Sequence, residues 1–270
     1  MMFRFNKLLI ILLLFFCMSC TQKKQQPFSF VQLSDPQLGM GGYEHDVNTF
    51  KLAVKQINEL KPDFVIICGD LVHHRSDSSF ADFLEIKKDF KMPCYLVAGN
   101  HDIGKVPNNT SLTYYREKLG KDYYQFNHKG YSFIVTNSLL WKNNIEKESE
   151  KHYKWFKETV RKSNSKIVVG HFPLYIKNYD EQEEYFNIPP GKRMELLNLF
   201  ADNNVKAYLS GHKHEVLINN YKNIQLVTGE TTSKNFDKRP MGFRYWEVSP
   251  DTMKHYFIPL QNFQLNKVKH

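Results

Sequence analysis

The sequence predicts an α/β fold, and three observations carry that prediction. Short apolar runs rich in β-branched and aromatic residues recur along the chain, in the pattern of strands buried on both faces of a sheet. Stretches of helical period separate them, as in sheets covered by helices. The length of 270 residues suits one large domain with a sizeable core and leaves no room for two full ones.

Taken in chain order, the amino-terminal stretch stands apart. Arg4 and Lys7 precede an apolar segment, Leu8 to Phe16, and then Cys17-Met18-Ser19-Cys20, the layout of a cleaved secretory signal over residues 1–19. The apolar segment is shorter than the roughly 20 residues a membrane span needs. A cysteine following a small residue resembles the lipobox of bacterial lipoproteins. The expectation is export to a bacterial cell envelope, with a lipid on Cys20 as the membrane anchor. Residues 20–27 then form a polar tether, and residues 28–270 the folded domain.

Phe28 to Ser34 reads as the first strand and ends at Asp35. A loop bearing Gly39, Gly41 and Gly42 leads to a helix from Asp46 to Leu60, with Val47, Phe50, Val54 and Ile57 on one face and Lys61-Pro62 as its stop. Strand two, Phe64 to Cys68, ends at Gly69-Asp70, and a helix follows over Phe80 to Phe90. Strand three, Cys94 to Ala98, ends at Gly99-Asn100-His101-Asp102, with a helix after it around Leu112 to Leu119. Tyr123 to Phe126 and Tyr131 to Thr136 flank Asn127-His128-Lys129-Gly130, a hairpin signal that calls for a second sheet.

A helix from Glu150 to Arg161 precedes strand four, which ends at Gly170-His171. Tyr175 to Pro190 is aromatic, acidic and without a period, and its length marks it as a lid or a substrate-recognition loop. Met194 to Phe200 reads as a helix, and strand five ends at Gly211-His212-Lys213-His214. Three further strands are expected near Glu215 to Ile218, Ile224 to Thr228 and Phe243 to Val248.

The formal charge of +9 and pI near 9.2 come from lysines scattered over helices and termini, which describes a solvated surface. No nucleic-acid partner is expected without a clustered basic patch. Cys68 and Cys94 fall in core strands, where free cysteine is a common apolar filler; a disulfide between them stays open.

Chemistry gathers at the strand ends. Ligands of open α/β sheets bind where loops leave a crevice at the carboxyl ends of the strands. Here Asp35, Asp70, Asn100, His171 and His212 each follow a strand, four of them directly after a glycine. Oxygen and imidazole donors of these types suit a hard or borderline divalent cation. Histidines two apart, as in His212 and His214, point the same way on an extended segment and would flank one site.

These blocks resemble the calcineurin-like metallophosphoesterases, over a span from about Phe28 to Val248. The resemblance implies a four-layer α/β/β/α sandwich of two mixed sheets, with two divalent metal ions at the strand ends. It places Asp35 and His214 on the first metal, Asn100, His171 and His212 on the second, and Asp70 between them. Two metals roughly 3.5–4 Å apart clamp a phosphate and offer an activated water in line to phosphorus. His101 would protonate the leaving group or stabilise its charge, and Asp102 would fix the tautomer of His101.

One departure is Asp35-Pro36-Gln37, where the family usually has histidine at the last position. An amide oxygen at Gln37 tilts the first site towards Mn²⁺ or Mg²⁺ over Zn²⁺, with Fe also in the family's range. An Asp-x-Gln subgroup of serine/threonine phosphatase-like proteins carries the same variant, so a phosphomonoester, including a phosphoprotein, is the expected substrate. A phosphodiester or nucleotide anhydride is the alternative. A rival of another class, a non-catalytic metal-containing binding protein of the cell envelope, has only Gln37 in its favour. Arg116, Lys192, Arg193 and Arg239 are further candidates for phosphate contact, and His73 and His74 read as loop residues beside the site.

Overall fold

The computed structural model describes residues 25–162 and 165–261. The signal and the lipid-bearing Cys20 expected from the sequence lie outside them. Among the described residues no helix is long and apolar enough to cross a membrane.

Among the described residues, eleven strands form two mixed sheets. The five-stranded sheet has the order β11 (Met253–Pro259), β10 (Gly242–Val248), β1 (Phe28–Leu33), β2 (Phe64–Ile67) and β3 (Cys94–Leu96). Strands β1, β2 and β3 are parallel, and β10 and β11 run against them. The six-stranded sheet has the order β4 (Tyr124–His128), β5 (Tyr131–Val135), β6 (Ser165–Val169), β7 (Val205–Ser210), β9 (Ile224–Thr228) and β8 (Leu217–Tyr221). Its centre is parallel and its edges, β4 and β8, are antiparallel.

Helices cover both outer faces. They are α1 (Tyr43–Leu60), α2 (Asp77–Lys87), α3 (Asn100–Ile103), α4 (Asn109–Leu119), α5 (Leu139–Lys142), α6 (Glu146–Lys162) and α7 (Pro190–Asp202). Three separate cores show the layering. Phe30, Phe64, Phe133, Ile167, Leu209 and Trp246 fill the space between the sheets. Val31, Leu33, Val65 and Ile67 alternate to the other face of the first sheet and bury Phe50, Ile57, Phe80 and Phe83 of α1 and α2. Val168 and Tyr208 face Phe156, Leu196 and Phe200 of α6 and α7. Strands buried on both faces read as unbroken apolar runs, which is why the period-two signal is absent from the sequence.

The inner layer carries a buried amide, Gln32, that is fully bonded. Gln32 donates to the Ser210 and Val227 carbonyls at 3.0 Å each and accepts from the Trp246 indole at 3.1 Å. That link ties the two sheets together three residues before Asp35. A buried amide whose donors and acceptor are all used costs little, whereas an unpaired one would destabilise the core.

Strand β11 and the short helices α3 and α5 have no counterpart in the sequence reading. β11 is an edge strand with lysine, histidine and tyrosine among its residues, and none of its residues is fully buried, so its apolar pattern is weak. α1 begins at Tyr43, ahead of the expected start at Asp46. Cys68 and Cys94 are free thiols, Cys68 fully buried.

Candidate metal centre

The carboxyl ends of β1, β2, β3, β6 and β7 come together, and the turns after them carry Asp35 and Gln37, Asp70, Asn100, His171, and His212 and His214 to a common site. The turns that do this are tight. Asp35, Gln37, Asp70, His212 and His214 all have left-handed backbones, with φ of 48°, 33°, 50°, 70° and 55°. Non-glycine residues in that region are uncommon and gather where function demands a side chain be held in place. The glycines beside them make room. A Cβ on Gly99 would collide with the Asp70 carboxylate, and one on Gly69, itself at φ 88°, would lie 2.5 Å from His171 Nδ1.

Two groups of donors result. Asp70, His171 and His212 form one, and Asp35, Asp70 and His214 the other, each with ligand atoms within 4.8 Å of one another and every residue buried. Asp70 belongs to both. His171 Nε2 lies 3.4 Å from Asp70 Oδ1 and 3.0 Å from Asn100 Oδ1, which adds Asn100 to the first of these groups. Gln37 is buried on the other side, near His73, with its amide nitrogen 3.4 Å from His73 Nδ1. Side chains that the resemblance assigns to one metal thus lie close together.

All the imidazoles of the site are pinned in the same way. His171 Nδ1 donates to the Cys68 carbonyl at 2.8 Å, and His214 Nδ1 to the Lys234 carbonyl at 2.6 Å. His212 bonds the backbone of Tyr185, which leaves its buried Nε2 without a partner. His101 Nδ1 donates to the His73 carbonyl at 2.8 Å. Fixing one nitrogen on a carbonyl sets the tautomer and turns the other nitrogen towards the site.

Charge is arranged to match. Burial raises Asp35 to about 6 against the pull of His214 and His171. Burial opposes ionisation of Asp70 as well, but His171, His101 and His212 outweigh it and hold the carboxylate well below its ordinary range. Burial works against protonation of His171, yet Asp70 and Asp35 lift it to about 9. His212 is held well below the usual imidazole range by burial and by His171.

The donors fit a pair of cations. Gln37 Oε1 and His212 Nε2 are buried acceptors with no hydrogen-bond partner, an expensive condition that a bound cation on each side would relieve. Two carboxylates, two amide oxygens and three imidazoles are the donor types that bind hard and borderline divalent ions.

Several expectations need correction. His212 and His214 do not sit on an extended segment: both are in the left-handed conformation, and they serve different groups. Asp102 does not orient His101. Its carboxylate accepts from the backbone amides of Leu71 at 2.8 Å, Val72 at 3.3 Å and Gly99 at 2.9 Å, so it braces the Asp70 turn against the Asn100 turn. Burial and the nearby Asp70 push it up to about 7.

Arg193 is fully buried among carbonyl groups, Arg116 is held by Asp122 and Glu148, and Lys192 pairs with Glu195. The Arg239 guanidinium lies over the Phe257 ring. None of them contacts the site. His73, read from the sequence as a loop residue beside the site, stacks its ring on His101 at 4.9 Å, and the Thr231 and Ser233 hydroxyls hold the Asp35 carbonyl. Nothing in a single sequence marks a backbone carbonyl as a partner.

A two-sheet α/β sandwich with this donor set defines a metal-dependent phosphoric ester hydrolase. The chain belongs to the calcineurin-like phosphoesterase family, whose description matches residues 28–216. The family uses a dinuclear divalent metal centre. The human serine/threonine-protein phosphatase CPPED1 is 30% identical over 264 residues, covering 87% of this chain and 84% of its own. A probable cyclic nucleotide phosphodiesterase from Ruthia magnifica is 24% identical over 232 residues, 82% of this chain and 93% of its own. Among solved structures, a dimetal phosphatase from Danio rerio superposes with a TM-score of 0.67 at 13% identity, covering 87% of this chain and 99% of that one.

Proposed function

We propose that this chain hydrolyses phosphomonoesters, with phosphoserine and phosphothreonine peptides as the favoured class. The observation that carries the mechanism is the position of Asp70, whose carboxylate belongs to both donor groups. Asp35, Gln37, Asp70 and His214 would hold one divalent ion, and Asp70, Asn100, His171 and His212 the other. Bound there, the ions would neutralise phosphate charge and acidify the attacking water.

The protein's own groups do the rest. Buried carboxylates and carbonyl-pinned imidazoles hold the donors rigid, so little reorganisation is needed when substrate arrives. His101 is half-buried, with Nδ1 committed to the His73 carbonyl. Its Nε2 is therefore the nitrogen left for substrate, and in the imidazolium form it would give a proton to the departing oxygen. Gln37 supports Mn²⁺ or Mg²⁺ on its side. The phosphomonoester reading is supported by the CPPED1 relatives and the Asp-x-Gln variant.

The test is hydrolysis by the purified domain, with Mn²⁺, Mg²⁺ and Zn²⁺, of phosphopeptides, small phosphomonoesters, phosphodiesters and nucleotides. Faster turnover of 3′,5′-cyclic AMP or bis-p-nitrophenyl phosphate than of any monoester would replace this reading with a diesterase.

We also propose export and lipid anchoring at Cys20. Gln26 bonds Lys129 in the β4–β5 hairpin, so the first described residues lie at the end of the fold opposite the site. On a lipid anchor the site would face away from the bilayer. Incorporation of labelled palmitate by the wild type and not by Cys20→Ala is the expected result; label retained in the variant would exclude it.

A further inference from the structure

The segment between Tyr175 and Pro190 has neither helix nor strand, yet it is tied down at nearly every residue. Glu181 accepts the amides of Ile176, Lys177 and Asn178 at 2.7, 2.8 and 3.1 Å, and the Asn187 side chain at 2.7 Å. Arg193, buried in the first turn of α7, donates to the carbonyls of Leu174, Tyr179, Glu181 and Ile188. Lys142 reaches from α5 to the Glu184 and Asn187 carbonyls at 2.7 and 2.6 Å. Residues 184 and 187 are thus both fixed. The two residues between them, Tyr185 and Phe186, form a braced crest, which argues against a swinging lid.

That crest stands over the Asn100–His171–His212 group. The Tyr185 and Phe186 rings lie 5.1 and 5.3 Å from the His212 ring, and 5.0 Å from each other at 84°, making a corner. The Tyr185 backbone takes the hydrogen bond that orients His212. The Tyr185 hydroxyl accepts from the Asn100 amide at 3.5 Å, which leaves its own proton to give. Tyr185 is 49% exposed. Aromatic side chains have few rotatable bonds, so a braced one presents a rigid surface at low entropic cost.

We propose that Tyr185 is a substrate-contacting residue: its hydroxyl donates to a non-bridging phosphoryl oxygen, and the Tyr185–Phe186 corner packs against an apolar or aromatic part of the ester beside the phosphate. This rests on the phosphoesterase reading of the same site. It assigns the irregular loop to substrate selection. The substrate class is a phosphomonoester, such as a phosphoserine or phosphothreonine peptide, that carries an apolar or aromatic group near the phosphate, in preference to small polyol phosphates.

The experiment compares wild type, Tyr185→Phe and Phe186→Ala, all loaded with Mn²⁺. Inorganic phosphate binding is measured by calorimetry, metal content by elemental analysis, and kcat/KM on p-nitrophenyl phosphate and glycerol phosphate. Tyr185→Phe is expected to weaken phosphate binding about tenfold, the worth of one hydrogen bond to a charged acceptor, with metal content unchanged. Phe186→Ala is expected to lower the ratio of aryl to glycerol ester hydrolysis several-fold while leaving phosphate binding intact. Phosphate affinity in Tyr185→Phe equal to wild type overturns the proposal, and so does loss of metal, which would make Tyr185 only a support for His212. Phosphate binding decides the point even in a protein that hydrolyses none of the esters, an outcome that would count against the functional reading instead.

Discussion

The two halves of the metal centre are built to different tolerances. On the Asn100–His171–His212 side, His171 is bonded at both nitrogens, and Asn100 touches both His171 and Tyr185. A braced aromatic crest closes it. On the Asp35–Gln37–His214 side, the Gln37 oxygen has no partner and its amide nitrogen meets only a long contact to His73. His214 Nε2 stands 3.9 Å from Asp35. One half has His171 and Asn100 bonded to each other, and Asn100 to the crest, with His212 Nε2 its one unpaired acceptor, and the other depends more on the ion to complete it. The first half should therefore bind tightly and tolerate little change; the second should set which metal is used.

The largest effect is expected where the halves meet. Asp70→Asn removes the shared carboxylate and should empty both sites, with turnover falling by roughly three orders of magnitude, in the range of losing a main electrostatic contact of the transition state. Metal analysis and turnover of a variant with native circular dichroism decide this, and wild-type rates would deny the bridging role. Next come the single-sided changes. Asn100→Ala should abolish one site and most activity, whereas Gln37→Ala should weaken the other ion by about 10–100-fold, the scale of losing a supporting ligand contact. Equal losses in the two variants would erase the asymmetry.

How much of this was legible in the sequence follows from what each residue is tied to. Apolar runs ending in Gly69, Gly99, Gly170 and Gly211 report both a buried strand and a tight turn, so Asp70, Asn100, His171 and His212 could be placed at one end of a sheet. The hairpin at Lys129-Gly130 told of a second sheet, which the structure bears out in β4 and β5. What could not be read are contacts to backbone. The Cys68, His73, Tyr185 and Lys234 carbonyls that hold the imidazoles carry no residue-type signature, and the role of Asp102 was misassigned because its partners are amides. Tyr185 and Phe186 sit in a stretch with no period, where the ordering comes from Arg193 and Glu181.

A smaller effect separates the halves by pH in the metal-free protein. His171 is raised to about 9 in the folded chain, from an unfolded value of 6.5, so its contribution to stability is complete below 6.5 and is lost as pH rises through 9. Asp35 is raised to about 6 from 3.8 by burial, so its contribution is present below 3.8 and is lost as pH rises through 6. Each is worth at most ~3 kcal/mol. Melting temperatures with a chelator should therefore fall in two windows: the lower one, to which Asp102 (raised to about 7) also contributes, reduced in Asp35→Asn, and the upper one absent in His171→Gln. Saturating Mn²⁺ should flatten both, because cation binding needs these groups deprotonated. A single window insensitive to His171→Gln would mean that the Asn100 side is not pre-charged as described.

The smallest effect concerns metal choice and isolates the looser half. Gln37 presents an amide oxygen, a hard donor, in a buried position with nothing else to bond. Imidazole nitrogen is a softer donor and favours zinc over manganese. The Gln37→His protein should therefore hold the same total metal, with zinc gaining on manganese by about tenfold at one site only, because residue 37 has no part in the Asn100 group. Competition between the two ions, followed by elemental analysis, measures it. His73 sits against the Gln37 amide, so the new imidazole would lose that long contact without loss of fold, and the melting temperature should move by no more than a few degrees. An unchanged zinc-to-manganese ratio would show that residue 37 never reaches the cation, and the unpaired oxygen would then need water as its partner.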